Sequence, residues 1–196
     1  MYGKTSGGVS QSPLIDSEER LILTRSFVDS SRSGNCYSAA NQTGCVWSVG
    51  LHKTNTGLCL ANPIGSGKIL SILAAGYSEI VAPTGEITDA WLAGGYHAST
   101  DVALGVIGVA RNLRLGGSVG AGKVYTGATL PSDPVYLFPI MTGKTDELLS
   151  ESAAPGLVRI DGLVQVTAGG FVIIANFTIG VAVGAKGAIL WEELDA

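Results

Sequence analysis

Residues 157–194 read LVRIDGLVQVTAGGFVIIANFTIGVAVGAKGAILWEEL. Val158, Ile160, Val164 and Val166 share one parity, and Arg159, Asp161, Gln165 and Thr167 take the other. Alternation with a period of two marks a strand with one wet face. Ala168-Gly169-Gly170 interrupts the run as a turn. Beyond it Phe171, Ile173, Ala175, Phe177 and Ile179 fall on one face. Val172 and Ile174 make the opposite face apolar too, so this strand is expected to be covered on both sides. Ile189 and Trp191 share a face just before Glu192-Glu193. The stretch 171–190 approaches the length of a membrane span. Asn176, Thr178, Gly180, Gly184, Lys186 and Gly187 break it up, and strands joined by glycine turns account for it better.

Working outward, the upstream chain must supply strands that pack on this unit. Trp47, Val49 and Leu51 alternate with Ser48 and Gly50, and Lys53 to Gly57 reads as a hairpin loop of common length. Asn62-Pro63 stops the returning run, because proline cannot donate to a ladder. Ile69 to Val81 reads as a long strand, 82–85 as a turn, and 87–96 as a strand with a bulge at Gly94-Gly95. A strand over Val102 to Ala110 and a flexible loop over 116–122 follow. Val135 to Met141 contains Pro139, which points to an edge or a bulge. Residues 143–156 read as a long surface loop, with one helical turn at Asp146–Ser150. Helical periodicity is sustained nowhere. Strands without intervening helices cannot make parallel crossovers, so the fold class expected is all-β, with an antiparallel β-sandwich, jelly roll or barrel as its form.

Residues 1–45 differ, being rich in Ser, Gly and Asn around the patch Leu21-Ile22-Leu23 and Phe27-Val28, with Ser17 placed to cap a helix. They are read as an extended N-terminal arm that orders on a partner, and 46–196 as the sandwich domain. Apolar residues make up 46% and charged residues 14% of the 196-residue chain, against roughly 25% charged in ordinary globular proteins. So neutral a surface suits a protein that works against neighbours. The net charge is −4, and no basic tail is present, which argues against nucleic acid as a partner. Cys36, Cys45 and Cys59 follow no metal-ligand spacing and point to a reduced compartment; their pairing stays open. The opening residues lack the apolar core of a signal peptide, so the sequons at Asn41 and Asn176 are read as coincidental.

Motifs for chemistry fail on inspection. Gly65-Ser66-Gly67-Lys68 resembles the tail of a phosphate-binding loop, but Asn62 stands at the first glycine position, Ile69 follows the lysine, and a strand rather than a helix comes next. His52 and His97 are far apart, so no compact metal set is formed in sequence. No G-x-S-x-G elbow occurs. The expectation is a protein that is not an enzyme, with no catalytic residues, no cofactor and no metal.

Four phrases carry a family resemblance. They are LCLANPIGSGK at 58–68 followed by ILSIL, ATLPSDPVYLF at 128–138, GLVQVTAGGFVIIANFT at 162–178, and AILWEEL at 188–194. Their order resembles small structural proteins of tailed bacteriophages, the capsid decoration, cement and tail-associated proteins, over residues 58–194. The resemblance implies a jelly-roll subunit, as a homotrimer on the outer capsid surface of a virion assembled in the host cytoplasm. Its implied partners are the major capsid protein and itself, with no membrane. The arm residues expected to bind neighbouring subunits are Leu14, Ile15, Leu21, Ile22, Leu23 and Phe27. An alternative is a tail- or fibre-associated jelly roll that binds a host glycan or receptor, with Trp47, Trp91 and Tyr96 offering ring faces to sugar.

Overall fold

The structure is a computed structural model that describes residues 3–4, 10–11, 27–41, 45–47, 51, 53–81, 87–103, 105–144, 156–176 and 183–196. The elements in chain order are β1 (Gly3–Lys4), β2 (Ser10–Gln11), α1 (Phe27–Arg32), β3 (Cys36–Ala40), β4 (Cys45–Trp47), β5 (Thr54–Ala61), β6 (Lys68–Val81), β7 (Ile87–Tyr96), β8 (Val106–Ile107), β9 (Arg111–Asn112), β10 (Lys123–Thr129), β11 (Val135–Lys144), β12 (Gly156–Val166), β13 (Gly170–Asn176) and β14 (Val183–Asp195). Strands β1 and β2 form a ladder of their own. The rest make two antiparallel sheets, sheet I in the order β11-β7-β13-β5-β10-β8 and sheet II in the order β12-β6-β14-β3-β9, with β4 also on β14. The fold is an all-β sandwich.

The C-terminal strands sit where their two apolar faces require. In β13, Val172 and Ile174 face the space between the sheets with Leu58, Leu92 and Trp191. Phe171, Ile173 and Ala175 face the opposite way, where they pack with Cys59 on the neighbouring β5 and with Val102 and Leu130. Both faces are buried because both are apolar, as the residue pattern leads one to expect. Strand β14 lies between β6 and β3, and its Ile189 and Trp191 are fully buried. The Trp191 ring stacks on Tyr37 with centroids 5.7 Å apart. The turn at Ala168-Gly169-Gly170 carries the chain from β12 in sheet II to β13 in sheet I, with Gly169 at φ +85 and the Gly170 N–H donating to the Thr167 carbonyl at 2.8 Å.

Strand β11 is an edge strand, as Pro139 requires, and register shifts flank that proline. Elsewhere the structure differs from what the sequence leads one to expect. Residues 54–57 are not a hairpin loop but the start of β5, paired with β10. Their turn-forming composition is absorbed by a register shift at Gly127, which adopts φ +70. Gly94 and Gly95 do not bulge toward β13. They pair in register with Val172 and Phe171, and a Cβ at Gly95 would come within 2.6 Å of the Phe171 ring. The stretch from Val102 to Ala110 is not one strand, because the chain leaves sheet I at β8 and joins sheet II at β9. Part of the stretch expected as an arm is inside the sandwich: β3 pairs with both β14 and β9. Residues 145–155, including Asp146–Ser150, lie outside the described residues, as does Ser17.

Candidate interaction surfaces

The two flanks of the sandwich are built differently. On one, residues 105–112 bridge the sheets and lead into a loop, 113–122, that buried polar groups hold in place. The Asn112 side-chain amide donates to the carbonyls of Gly34 (2.7 Å) and Ser118 (3.2 Å), and its oxygen accepts from the Arg114 N–H at 2.9 Å. Farther along, the Glu193 carboxylate accepts from the backbone N–H groups of Ala121 and Gly122, each at 2.9 Å, and from Trp191 Nε1 at 3.2 Å. A buried carboxylate with this many donors is satisfied where it stands. The loop so anchored displays Leu115, 91% exposed, and Val119, 85% exposed. Val106 and Ile107 on β8 are exposed beside it. From Val102 to Ser132 the chain carries Arg111, Arg114 and Lys123 and no acidic residue. This flank is therefore apolar and cationic on a molecule of net negative charge.

On the opposite flank the edge strands β11 and β12 meet at one end, where a Cβ on Gly156 would fall 2.7 Å from that of Met141. Toward the other end they part, leaving an open cleft of about 430 Å³. Its walls include Val135 and Leu137 from β11, Leu163 to Val166 from β12, and Thr167 and Tyr96. Its floor includes Gly94, Gly95 and Gly170, which add no side-chain bulk. The β12 wall departs from the ladder: register jumps between Arg159 and Val164, with Asp161 and Gly162 at positive φ. That irregularity turns Leu163 outward, 78% exposed.

Several other polar groups are engaged in structure. Glu192, on the face of β14 opposite Trp191, accepts from the Ser30 hydroxyl at 2.6 Å and so ties α1 to sheet II. Burial, and after it the Glu192 charge, pushes the Cys36 thiol up to about 11; burial alone pushes the Cys59 thiol up. Both thiols are free and buried. Asn41 is buried, its amide donating to the Ala185 carbonyl at 3.0 Å and its oxygen accepting from the Gly187 N–H, so the sequon there is spent on packing. His97 accepts from the Ser99 N–H at 3.4 Å, and among the described residues no three of His, Cys, Asp and Glu gather as a metal site. No helix among the described residues is long and apolar enough to cross a membrane.

Of the residues expected to bind partners, Leu14, Ile15, Leu21, Ile22 and Leu23 lie outside the described residues, and Phe27 is placed only as the first residue of α1. His52 also lies outside them. Trp91 is half-buried and packs at 5.3 Å against Tyr136, tilted by 55°, while Tyr96 stands 58% exposed at the cleft. The cationic apolar flank was missed in the sequence reading, although its signal is a stretch of chain with cations and no acids. No family model matches this chain, and neither does any curated protein or solved structure.

Proposed function

We propose that this chain is a structural subunit of a virion, a decoration protein that binds the outer capsid surface and stabilises the shell. The observation that carries the reading is the gathering of large exposed apolar side chains on the two flanks: Val106, Leu115 and Val119 on one, Val135 and Leu163 on the other. Apolar patches left open on a sparsely charged surface mark contact sites. The strand order supports the jelly-roll form of the reading. Strands β3, β6, β12 and β14 lie in sheet II, and β5, β7, β11 and β13 in sheet I, so that successive strands of these eight change sheets except from β7 to β11.

A protein of this kind acts by linkage. Binding to the assembled shell and not to its dissociated subunits stabilises the shell. Closed symmetric oligomers present the same patch several times, which turns weak contacts into avidity. The N-terminal residues Leu14, Ile15, Leu21, Ile22, Leu23 and Phe27 are proposed to reach neighbouring subunits. Particles made without the chain are expected to lose resistance to heat and to low ionic strength and to regain it when purified protein is added back; unchanged resistance contradicts the proposal. A second reading, a tail-associated glycan binder, is favoured by the Trp91–Tyr136 ring pair on the outer face of sheet I. Loss of binding to host cell-wall glycan in Trp91→Ala, with particle stability unchanged, would select it.

A further inference from the structure

We infer that the protein self-associates head to tail, the 113–119 loop of one copy inserting Leu115 and Val119 into the β11/β12 cleft of the next. Three observations carry this, and none depends on the virion reading.

The first is complementarity of form. The loop is a knob rather than a floppy connection, since Asn112 and Glu193 fix its two ends. Ordering a loop costs entropy, and this one spends it on holding two apolar side chains in water. The cleft on the far flank has apolar walls, a glycine floor and a volume of about 430 Å³. That lies within the range of roughly 300–1,000 Å³ over which pockets enclose compact apolar groups.

The second is complementarity of charge. Along the chain the knob is flanked by Arg111, Arg114 and Lys123 with no acid from Val102 to Ser132, and the one carboxylate that touches the loop, Glu193, is buried and engaged by Ala121, Gly122 and Trp191. At the cleft, exposed Asp133 precedes the Val135 wall, and Asp161 precedes Leu163. Asp161 is ion-paired with Arg159 at 3.1 Å, so that pair carries no net charge and the acidity beside the cleft comes from Asp133. Opposed surfaces of this kind steer association and fix its register. A symmetric contact of knob with knob would instead bring like charges together.

The third is position. Lys123, at the end of the loop, is level with Ala61, which is level with Phe171, which is level with Gly95 on the cleft floor. Knob and cleft therefore lie at the same end of the sandwich and on opposite flanks. A heterologous contact between two such patches generates rings when the rotation closes. Their shared level along the strands means that successive copies do not climb along the strand direction.

The test uses the full chain with Cys45→Ser, which leaves the buried Cys36 and Cys59 as the native thiols. Leu115→Cys and Leu163→Cys are prepared separately; both positions are exposed, so folding is spared. Mixed under mild oxidation, the two are expected to form a disulfide joining one variant to the other, whereas neither alone does so. Leu115→Asp and Leu163→Asp are each expected to weaken association about ten-fold or more in sedimentation velocity, with circular dichroism unchanged. Added salt is expected to weaken the wild-type oligomer as well. The inference is overturned if the wild type is monomeric at its highest soluble concentration, or if each cysteine variant cross-links with itself as readily as with the other. It is overturned equally if monomeric protein is retained on vesicles of phosphatidylserine and phosphatidylcholine through Leu115, which would give the knob to a lipid surface.

Discussion

At Gly94 a single methyl group decides whether β7 can lie against β13. A Cβ there would stand 2.8 Å from the Phe171 carbonyl oxygen, a backbone atom that cannot swing aside. Gly94→Ala is therefore expected to destabilise the protein by about 1–3 kcal/mol, read as a lower urea midpoint with an unchanged slope. Cys36 gives a prediction in pH. Its thiol is held at about 11 against an ordinary 9.0, so the folded state keeps its proton after the unfolded chain has lost it. The stability that this contributes is complete below pH 9 and is lost as the pH rises toward 11. The urea midpoint should fall more steeply over that window in the wild type than in Cys36→Ala, and equal slopes would refute the assignment. The paired glycines were legible in sequence as something special, but not as a close approach. That reading requires knowing that Phe171 lies across from Gly95, which is a tertiary fact.

Between strands, the decisive contacts are carboxylates near the C-terminus. Glu193 binds two backbone N–H groups of the 113–122 loop and the Trp191 indole, and Glu192 binds Ser30 of α1. Glu193→Ala leaves those donors without their acceptor, at a cost of about 1–3 kcal/mol. Hydrogen exchange should quicken at the Ala121 and Gly122 amides, while amides in the middle of β13 stay protected. Glu193→Gln keeps an acceptor oxygen and should lose less; equal exchange in all three proteins would show that the loop is held otherwise. A pair of acids before a chain end reads in sequence as a solvated terminus, and nothing in the alternation reveals that a glycine loop some 70 residues earlier folds over it. Strand β10 was missed for a related reason. Gly127 interrupts its alternation, and only the partner strand β5 shows that the interruption is a register shift.

For the whole molecule, the sandwich was legible because β13 and β14 are apolar in a pattern that two packed sheets alone satisfy. Val172 and Ile174 on one side, with Phe171, Ile173 and Ala175 on the other, place β13 inside whatever the partners are. The flanks were not legible. They depend on which strands end up at the sheet edges, and β8 and β9 are too short for periodicity to find. Once the edges are known, the low charge acquires a location: the apolar side chains left in water lie where other molecules can cover them. Function by association, rather than by chemistry in a pocket, is the claim on which the rest depends. Counting this chain against the major shell subunit in purified particles tests it most directly. Copies are expected in a fixed ratio to the shell lattice, released together with the loss of particle stability. A few copies confined to the tail, or none in the particle at all, would contradict it.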